Sequence, residues 1–185
     1  DSAHFAVSSP PAASSLPPGE STSFQITFAP YLAGIHSGTV AFTSNDSDES
    51  PFTFAIAGTG VGGPEIDVRG NSTSIANGDT TPTSADHTDF GDVEPGDDLT
   101  RTFTIHNTGP FWLHLGTIAI AGDPVLSLDT SATAATVVGG TSTTFSVTFS
   151  PTTSGLYEAT LSIPSDDDDE NPHTFDIHGT CIAPE

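Results

Sequence analysis

Acidic side chains at two places in the chain have the type and spacing needed to bind a hard cation. Each group lies between two runs of alternating apolar residues. The groups are Asn45, Asp46, Asp48 and Glu49, and Asp166, Asp167, Asp168, Asp169 and Glu170. Calcium takes about six to eight oxygen ligands, which carboxylates on one turn can supply. Each loop is therefore a candidate for a weak Ca²⁺ site. The alternative is a solvated turn, because Asp and Asn are ordinary turn residues and neither run has EF-hand spacing.

The remaining polar residues favour no enzymatic activity. The seven histidines have no metal-ligand spacing, and we expect them to be exposed on strands, with His4, His36 and His87 isolated. The chain also has neither a Gly-x-Ser-x-Gly elbow nor a glycine-rich phosphate loop. We therefore predict a protein that is not an enzyme, and we expect no cofactor other than Ca²⁺.

The charge of the chain restricts its partners and its surroundings. There are 24 acidic residues, the only basic ones are Arg69 and Arg101, and the net charge is −22. Such a surface repels nucleic acid and anionic membranes, and it repels itself unless salt or divalent cations screen it. No apolar run approaches the length of about 20 residues that a membrane helix needs. We expect an extracellular location in a saline or calcium-containing medium, no nucleic-acid partner and no membrane insertion.

An internal repeat organises the elements that carry the acidic loops. The segment LPPGESTSFQITFAP ends at Pro30, and VVGGTSTTFSVTFSP ends at Pro151, 121 positions later. The match continues without a gap through SNDSDESP and SDDDDENP and through FAIAGTG and FDIHGTC. Residues 1–62 match only the later half of the unit formed by residues 63–185. The glycines before Pro64 mark the boundary between the two domains.

Alternating apolar residues predict the fold of both units. Period-two alternation with one apolar face indicates antiparallel sheets packed face to face. About seven short strands in some 120 residues are typical of an immunoglobulin-like sandwich. The predicted fold is therefore all-β, with tandem immunoglobulin-like β-sandwiches of which the first is incomplete. The expected core residues are Phe24, Phe28, Phe54, Phe103, Phe145, Phe149 and Phe175.

Five sequence blocks resemble a known family. They are NGDTTP (77–82), TDFG (88–91), RTFTIHNTG (101–109), TTFSVTFSP (143–151) and SDDDDENP (165–172). Together they resemble the bacterial choice-of-anchor D repeat, a member of the Hydin-like group of immunoglobulin-fold domains. The resemblance implies tandem sandwiches in secreted or cell-surface proteins and no catalytic activity. We therefore expect a structural or adhesive module of a bacterial surface protein, in an elongated stalk or filament.

Several alternatives remain open at this stage. Residues 1–62 need partner strands, which earlier residues of a longer chain or a strand donated by another subunit would supply. The expected partners are thus neighbouring repeats or copies of the chain. The alternative function is recognition of a carbohydrate or a host protein, with Trp112 as a contact rather than a packed side chain. Cys181 is either a free or buried thiol or a cross-link to a neighbour.

Overall fold

The computed structural model describes residues 4–183, and every regular element within them is a β-strand. The chain divides into two compact units, with the boundary between Gly62 and Gly63. The strands of the first unit are β1 (Phe5–Ser9), β2 (Gln25–Phe28), β3 (Gly34–Phe42) and β4 (Phe52–Gly60). They form two separate antiparallel ribbons, β1–β2 and β3–β4. The described residues contain no helix that is long and apolar enough to span a lipid bilayer.

Residues 63–183 of the second unit contain eleven strands. They are β5 (Ile66–Gly70), β6 (Thr73–Ile75), β7 (Asp89–Val93), β8 (Leu99–Asn107), β9 (Leu113–His114), β10 (Ala119–Gly122), β11 (Leu126–Asp129), β12 (Thr136–Val137), β13 (Ser142–Phe149), β14 (Gly155–Ile163) and β15 (His173–Cys181). One sheet has the order β10-β14-β15-β7, another has the order β11-β13-β8-β5-β6, and β9 pairs with β12. The inward side chains of these strands form one hydrophobic core.

The two units repeat the same strand pairing. Gly34 pairs with Gly60 in the β3–β4 ribbon, and Gly155 pairs with Cys181, 121 residues further on, between β14 and β15. Phe5 pairs with Phe28 in the β1–β2 ribbon, as Leu126 pairs with Phe149 between β11 and β13. The registers are preserved because a shift by one residue would turn every apolar side chain away from its face of the sheet.

The strands that close the second unit have no counterpart in the described part of the first unit. Strand β13 lies between β11 and β8, whereas its counterpart β2 pairs only with β1 in the described chain. Strand β15 lies between β14 and the parallel strand β7, whereas its counterpart β4 pairs with β3 alone among the strands of residues 4–183. The predicted fold class is confirmed: the protein is all-β, with tandem immunoglobulin-like sandwiches of which the first is incomplete.

The expected core residues are buried in the second unit only. Phe103 and Phe149 are 0% exposed, and Phe145 and Phe175 are almost as deeply buried. In the first unit Phe54 is 38% exposed. Phe24 and Phe28 are only half-buried. The prediction of a core at Phe24, Phe28 and Phe54 is therefore wrong for the described chain, because the strands that would cover them are missing.

Candidate metal-binding site

The second acidic loop, residues 164–172, connects β14 to β15 and is folded by hydrogen bonds of its own polar side chains. The Asp167 amide donates to Ser165 Oγ at 3.2 Å, and the Asp169 amide donates to Asp167 Oδ1 at 3.4 Å. The Ser165 amide donates to Asn171 Oδ1 at 3.1 Å. Short side chains that accept from the backbone two residues on favour tight turns. These bonds turn Asp167 toward the protein and leave Asp168 and Asp169 exposed.

Asp167 joins the loop to the beginning of β5. Its side chain is 1% exposed, and Oδ2 accepts a hydrogen bond of 2.8 Å from the amide of Ile66, 101 residues away in the sequence. Ile66 is the first residue of β5, so its amide would otherwise lie at the end of the strand without this acceptor. The bond places the acidic loop beside Glu65, the residue that precedes β5.

Glu65, Asp167 and Asp169 consequently come together. One carboxylate oxygen from each lies within 4.8 Å of the other two. Among residues 4–183, no other group of three or more acidic, histidine or cysteine side chains has its potential ligand atoms this close together. Two unit charges 4 Å apart repel by about 1 kcal/mol in water and by several times more in a less polar environment. Glu65 is exposed, but partial loss of hydration, followed by the charges of Asp167, Asp169 and Glu170, raises the pKa of its carboxyl group.

No basic side chain in the described chain neutralises this cluster. Arg69, the nearest arginine in the sequence, donates from Nε to Asp67 Oδ2 at 2.6 Å, and its Nη2 contacts the same oxygen at 2.5 Å. The buried carboxylate of Asp167 is therefore stabilised by backbone amides alone. Its two oxygens keep lone pairs available, because a carboxylate can accept about four hydrogen bonds or metal bonds.

A cavity of about 360 Å³ lies next to the cluster. Its lining includes Glu65, Asp67, Glu170 and His173. Burial, followed by the charges of Asp167, Asp169 and Asp67, raises the pKa of Glu170. The cavity is therefore bordered by carboxylates that repel one another.

His173 contributes a buried imidazole to this cavity. The side chain is 2% exposed, and neither ring nitrogen has a hydrogen-bond partner. Nδ1 faces Glu170 Oε2 at 3.6 Å, which is longer than a hydrogen bond. Burial lowers the pKa of His173, while the nearby backbone of Ile75 and the charges of Asp67 and Asp167 act in the opposite direction. Uncompensated polar atoms in a buried imidazole are unusual and call for an explanation.

Sequence comparison identifies the family. The HYDIN/CFA65/VesB-like, Ig-like domain matches residues 83–180, which is slightly more than half of the 185 residues. The chain belongs to this family. The matched residues include Asp167 and Asp169 but not Glu65, which precedes them. No curated protein matches the chain in sequence.

Comparison with solved structures gives matches of low sequence identity. A protein of unknown function from Porphyromonas gingivalis W83 is 13% identical, with 95% of this chain and 83% of that chain covered and a TM-score of 0.48. The PapD-like domain 7 of human CEP192 is 15% identical, covering 65% and 87%, with a TM-score of 0.37. The secreted serine protease VesC from Vibrio cholerae is 18% identical, covering 52% and 22%, with a TM-score of 0.42.

The other predicted ligands of the second loop point elsewhere. Both carboxylate oxygens of Asp166 contact His114: Oδ1 accepts from its backbone amide and Oδ2 lies 2.7 Å from its Nδ1. Asp168 is exposed. Thus the Ig-like domain brings together only Asp167 and Asp169 of the five acidic residues, with Glu170 at the neighbouring cavity. Sequence reasoning missed Glu65 because it lies about 100 positions away.

The first acidic loop, residues 43–51, has the same internal hydrogen bonds but a different environment. The Asp46 amide donates to Ser44 Oγ at 3.2 Å, and the Asp48 amide donates to Asp46 Oδ1 at 3.2 Å. Asn45, Asp46, Asp48 and Glu49 are all exposed. The structure does not bring these four into a group of converging ligands among the described residues. Calcium binding in this loop stays a prediction.

The structure also shows how far the histidines, Trp112 and Cys181 are buried. His4 and His173 are 3% and 2% exposed, so the prediction that they are exposed is wrong. The ring centroids of His4 and His36 lie 3.7 Å apart, so these two histidines are not isolated as expected. Trp112 is 38% exposed. Cys181 is a free thiol that is 2% exposed.

Proposed function

We propose that the chain is a structural module of a bacterial surface protein, in which Ig-like repeats of the choice-of-anchor D type follow one another in an extracellular stalk or filament. The observation that carries the proposal is the incomplete first unit, which repeats the strand register of the second but has no closed core. A net charge of −22 also favours a saline exterior, where ions screen such a surface. The module contributes length and stiffness rather than chemistry.

The faces of the first unit support completion by further strands. Between its two ribbons lies a cavity of about 370 Å³, whose lining includes Val7, Ile26, Val40 and Ile56. The counterparts of the last three, 121 residues later, are Val147, Leu161 and Ile177, and each is 0% exposed. Open strand edges beside an apolar cavity readily accept another strand.

The second unit indicates what the completing strands are. An equivalent of β8 would pair antiparallel with β2, and an equivalent of β7 would pair parallel with β4. The completing segment therefore resembles residues 63–121, whether it belongs to the same chain or to another subunit. In both cases the result is an array in which each module contacts mainly its neighbours.

A fusion experiment tests this completion. Joining a copy of residues 63–121 directly before Asp1 reproduces the spacing of the second unit, because residue 122 is the counterpart of residue 1. We expect amide hydrogen exchange in β2 and β4 to slow by about tenfold or more, since the new ladder bonds and the closed core must open before exchange occurs. Mass spectrometry of peptic fragments provides the measurement.

The control fusion carries Phe103→Asp and Ile105→Asp in the added copy, which removes the apolar face of the β8 equivalent. It should leave exchange in β2 and β4 as fast as in the unfused chain. Equal protection by both fusions, or by neither, would contradict the proposal. Analytical ultracentrifugation of the unfused chain distinguishes the two sources: concentration-dependent polymers indicate strand donation between copies, and a monomer indicates a segment of the same chain.

A further inference from the structure

We propose that Glu65, Asp167 and Asp169 bind a Ca²⁺ ion that joins the second acidic loop to the first strand of the second Ig-like unit. The three carboxylates converge within 4.8 Å, although they come from two segments about 100 residues apart. Asp167 fixes this arrangement by accepting a hydrogen bond from the Ile66 amide. The site thus exists only in the folded unit, so the ion stabilises the folded state.

The charges around the cluster favour a cation. Asp67 and Glu170 border the adjoining cavity, and the guanidinium group of Arg69 is already bonded to Asp67. A divalent ion at the convergence point would neutralise the repulsion among the three carboxylates. It would also compensate the buried charge of Asp167, which has only backbone amides as partners in the described chain.

The buried His173 is an independent indication of a ligand. Its side chain is only 2% exposed, and it lines the cavity that Glu65 and Glu170 border. Both ring nitrogens lack a hydrogen-bond partner. A water molecule bound to the ion and held in this cavity would donate to the ring nitrogen that carries no proton, because ion-bound water is a strong donor and metal sites are commonly supported in this way. His173 therefore acts as a positioning residue and not as a direct ligand.

The donor set favours calcium over other divalent ions. Three carboxylates and water are hard oxygen ligands, and Ca²⁺ accepts irregular coordination by about six to eight oxygens. Mg²⁺ requires nearly octahedral geometry and loses its water reluctantly, and Zn²⁺ prefers histidine or cysteine as direct ligands. We expect an affinity of about 10⁻⁴–10⁻³ M, as in other extracellular calcium modules.

The first loop offers a matched internal comparison. Asp46 and Asp48 are the counterparts of Asp167 and Asp169, with the same hydrogen bond between them. Asp46 is exposed, and the described part of the first unit has no equivalent of β5 to supply a residue like Glu65. Removing a carboxylate from this loop should therefore leave calcium binding by the second unit unchanged.

Calorimetric titration and thermal unfolding of the full chain, after treatment with a chelator, test the proposal. CaCl₂ should bind to the second unit and raise its melting temperature, whereas MgCl₂ at the same concentration should raise it much less. Glu65→Gln and Asp169→Asn should each weaken calcium binding by about tenfold or more and abolish most of the rise. Asp167 is left intact, because its loss would also remove the acceptor for Ile66.

Asp168→Asn and Asp48→Asn are the matched controls, since each removes one negative charge from an exposed loop position. Both should keep the calcium affinity and the rise in melting temperature. The proposal would be overturned if the wild-type chain did not respond to calcium, or if magnesium acted equally. It would also be overturned if Asp168→Asn lost as much affinity as Asp169→Asn, because the ion would then only screen the acidic surface.

Discussion

Replacing Asn107 with alanine is expected to destabilise the second unit by about 3–4 kcal/mol, because buried polar groups lose their partners. The side chain is 1% exposed and lies at the end of β8. Its Nδ2 donates to the carbonyl oxygens of Phe111 at 2.5 Å and Val137 at 2.8 Å. Its Oδ1 accepts from the amides of Gly109 at 3.1 Å and Glu65 at 3.3 Å. One side-chain amide thus bonds four backbone groups and joins three segments of the chain, at Glu65, at residues 109–111 and at Val137.

Alanine would leave these four backbone groups with too few partners. An unsatisfied buried donor or acceptor costs about 1–3 kcal/mol, and water can replace only part of the loss. Gly109 restricts any rearrangement, because a Cβ built there would lie 2.4 Å from the carbonyl oxygen of Gly63. The backbone is therefore already at its closest approach in this region.

Urea unfolding, monitored by the fluorescence of Trp112, measures this effect, because the chain has one tryptophan and it lies in the second unit. Asn77→Ala is the control: Asn77 Oδ1 accepts one hydrogen bond of 2.9 Å from the exposed amide of Thr174. Its loss should cost about 1 kcal/mol or less. Similar costs for the two variants would show that Asn107 is no more than an ordinary turn residue.

The sequence indicated the local structure well because the relevant signals are local. Alternating apolar residues predicted β13, β14 and β15, and the 121-residue repeat predicted that β2, β3 and β4 would share their register. The missing half of the first sandwich followed from the same comparison. Each of these inferences depends on residues that are close in sequence or on a direct match between two copies.

Residues whose roles depend on distant contacts were harder to predict. Glu65 lies beside the acidic loop because β5 pairs with β8 in the sheet, and no short sequence motif predicts that pairing. Asn107 lies in the block RTFTIHNTG, but its four backbone partners come from three segments of the chain. Such roles follow from topology, which the pattern of one strand does not specify.

One signal in the repeat did point to the buried histidine. His173 is the counterpart of Phe52, 121 residues earlier, and it begins β15 at a position whose side chain faces the core. A histidine at a position that is aromatic in the other copy indicates burial. Conversely, the repeat suggested burial for Phe24, Phe28 and Phe54, which the described first unit does not provide, because burial depends on the opposing strands as much as on the residue itself.

Replacing Phe149 with alanine is expected to destabilise the second unit by about 3–5 kcal/mol, as is usual for loss of a fully buried aromatic ring. The ring is 0% exposed and packs against Phe90 and Tyr157, with centroids 6.1 Å and 5.8 Å apart. It also packs against the backbone of β15, because a Cβ at Gly179 would lie 2.6 Å from Phe149 Cε1. Urea unfolding, monitored by the fluorescence of Trp112, provides the measurement.

Phe28→Ala is the matched comparison, since Phe28 is the counterpart of Phe149 in the first unit. A Cβ at Gly58 would likewise lie 2.6 Å from Phe28 Cε1, so the local contact is the same in both units. Phe28 is only half-buried, however, and its loss should cost about 1 kcal/mol in the local stability of β2, measured by hydrogen exchange. Equal costs at the two positions would mean that the first unit already has a closed core.

The same pair of variants also connects stability to assembly. If a segment resembling residues 63–121 covers the first unit, Phe28 becomes as inaccessible to water as Phe149. In the fused chain, the loss of stability caused by Phe28→Ala should then rise toward that caused by Phe149→Ala. Removing a buried ring loses the free energy of its transfer from water and also leaves a cavity, and both effects destabilise the fold. The increase measures how much of the burial energy of the first sandwich comes from strands outside it.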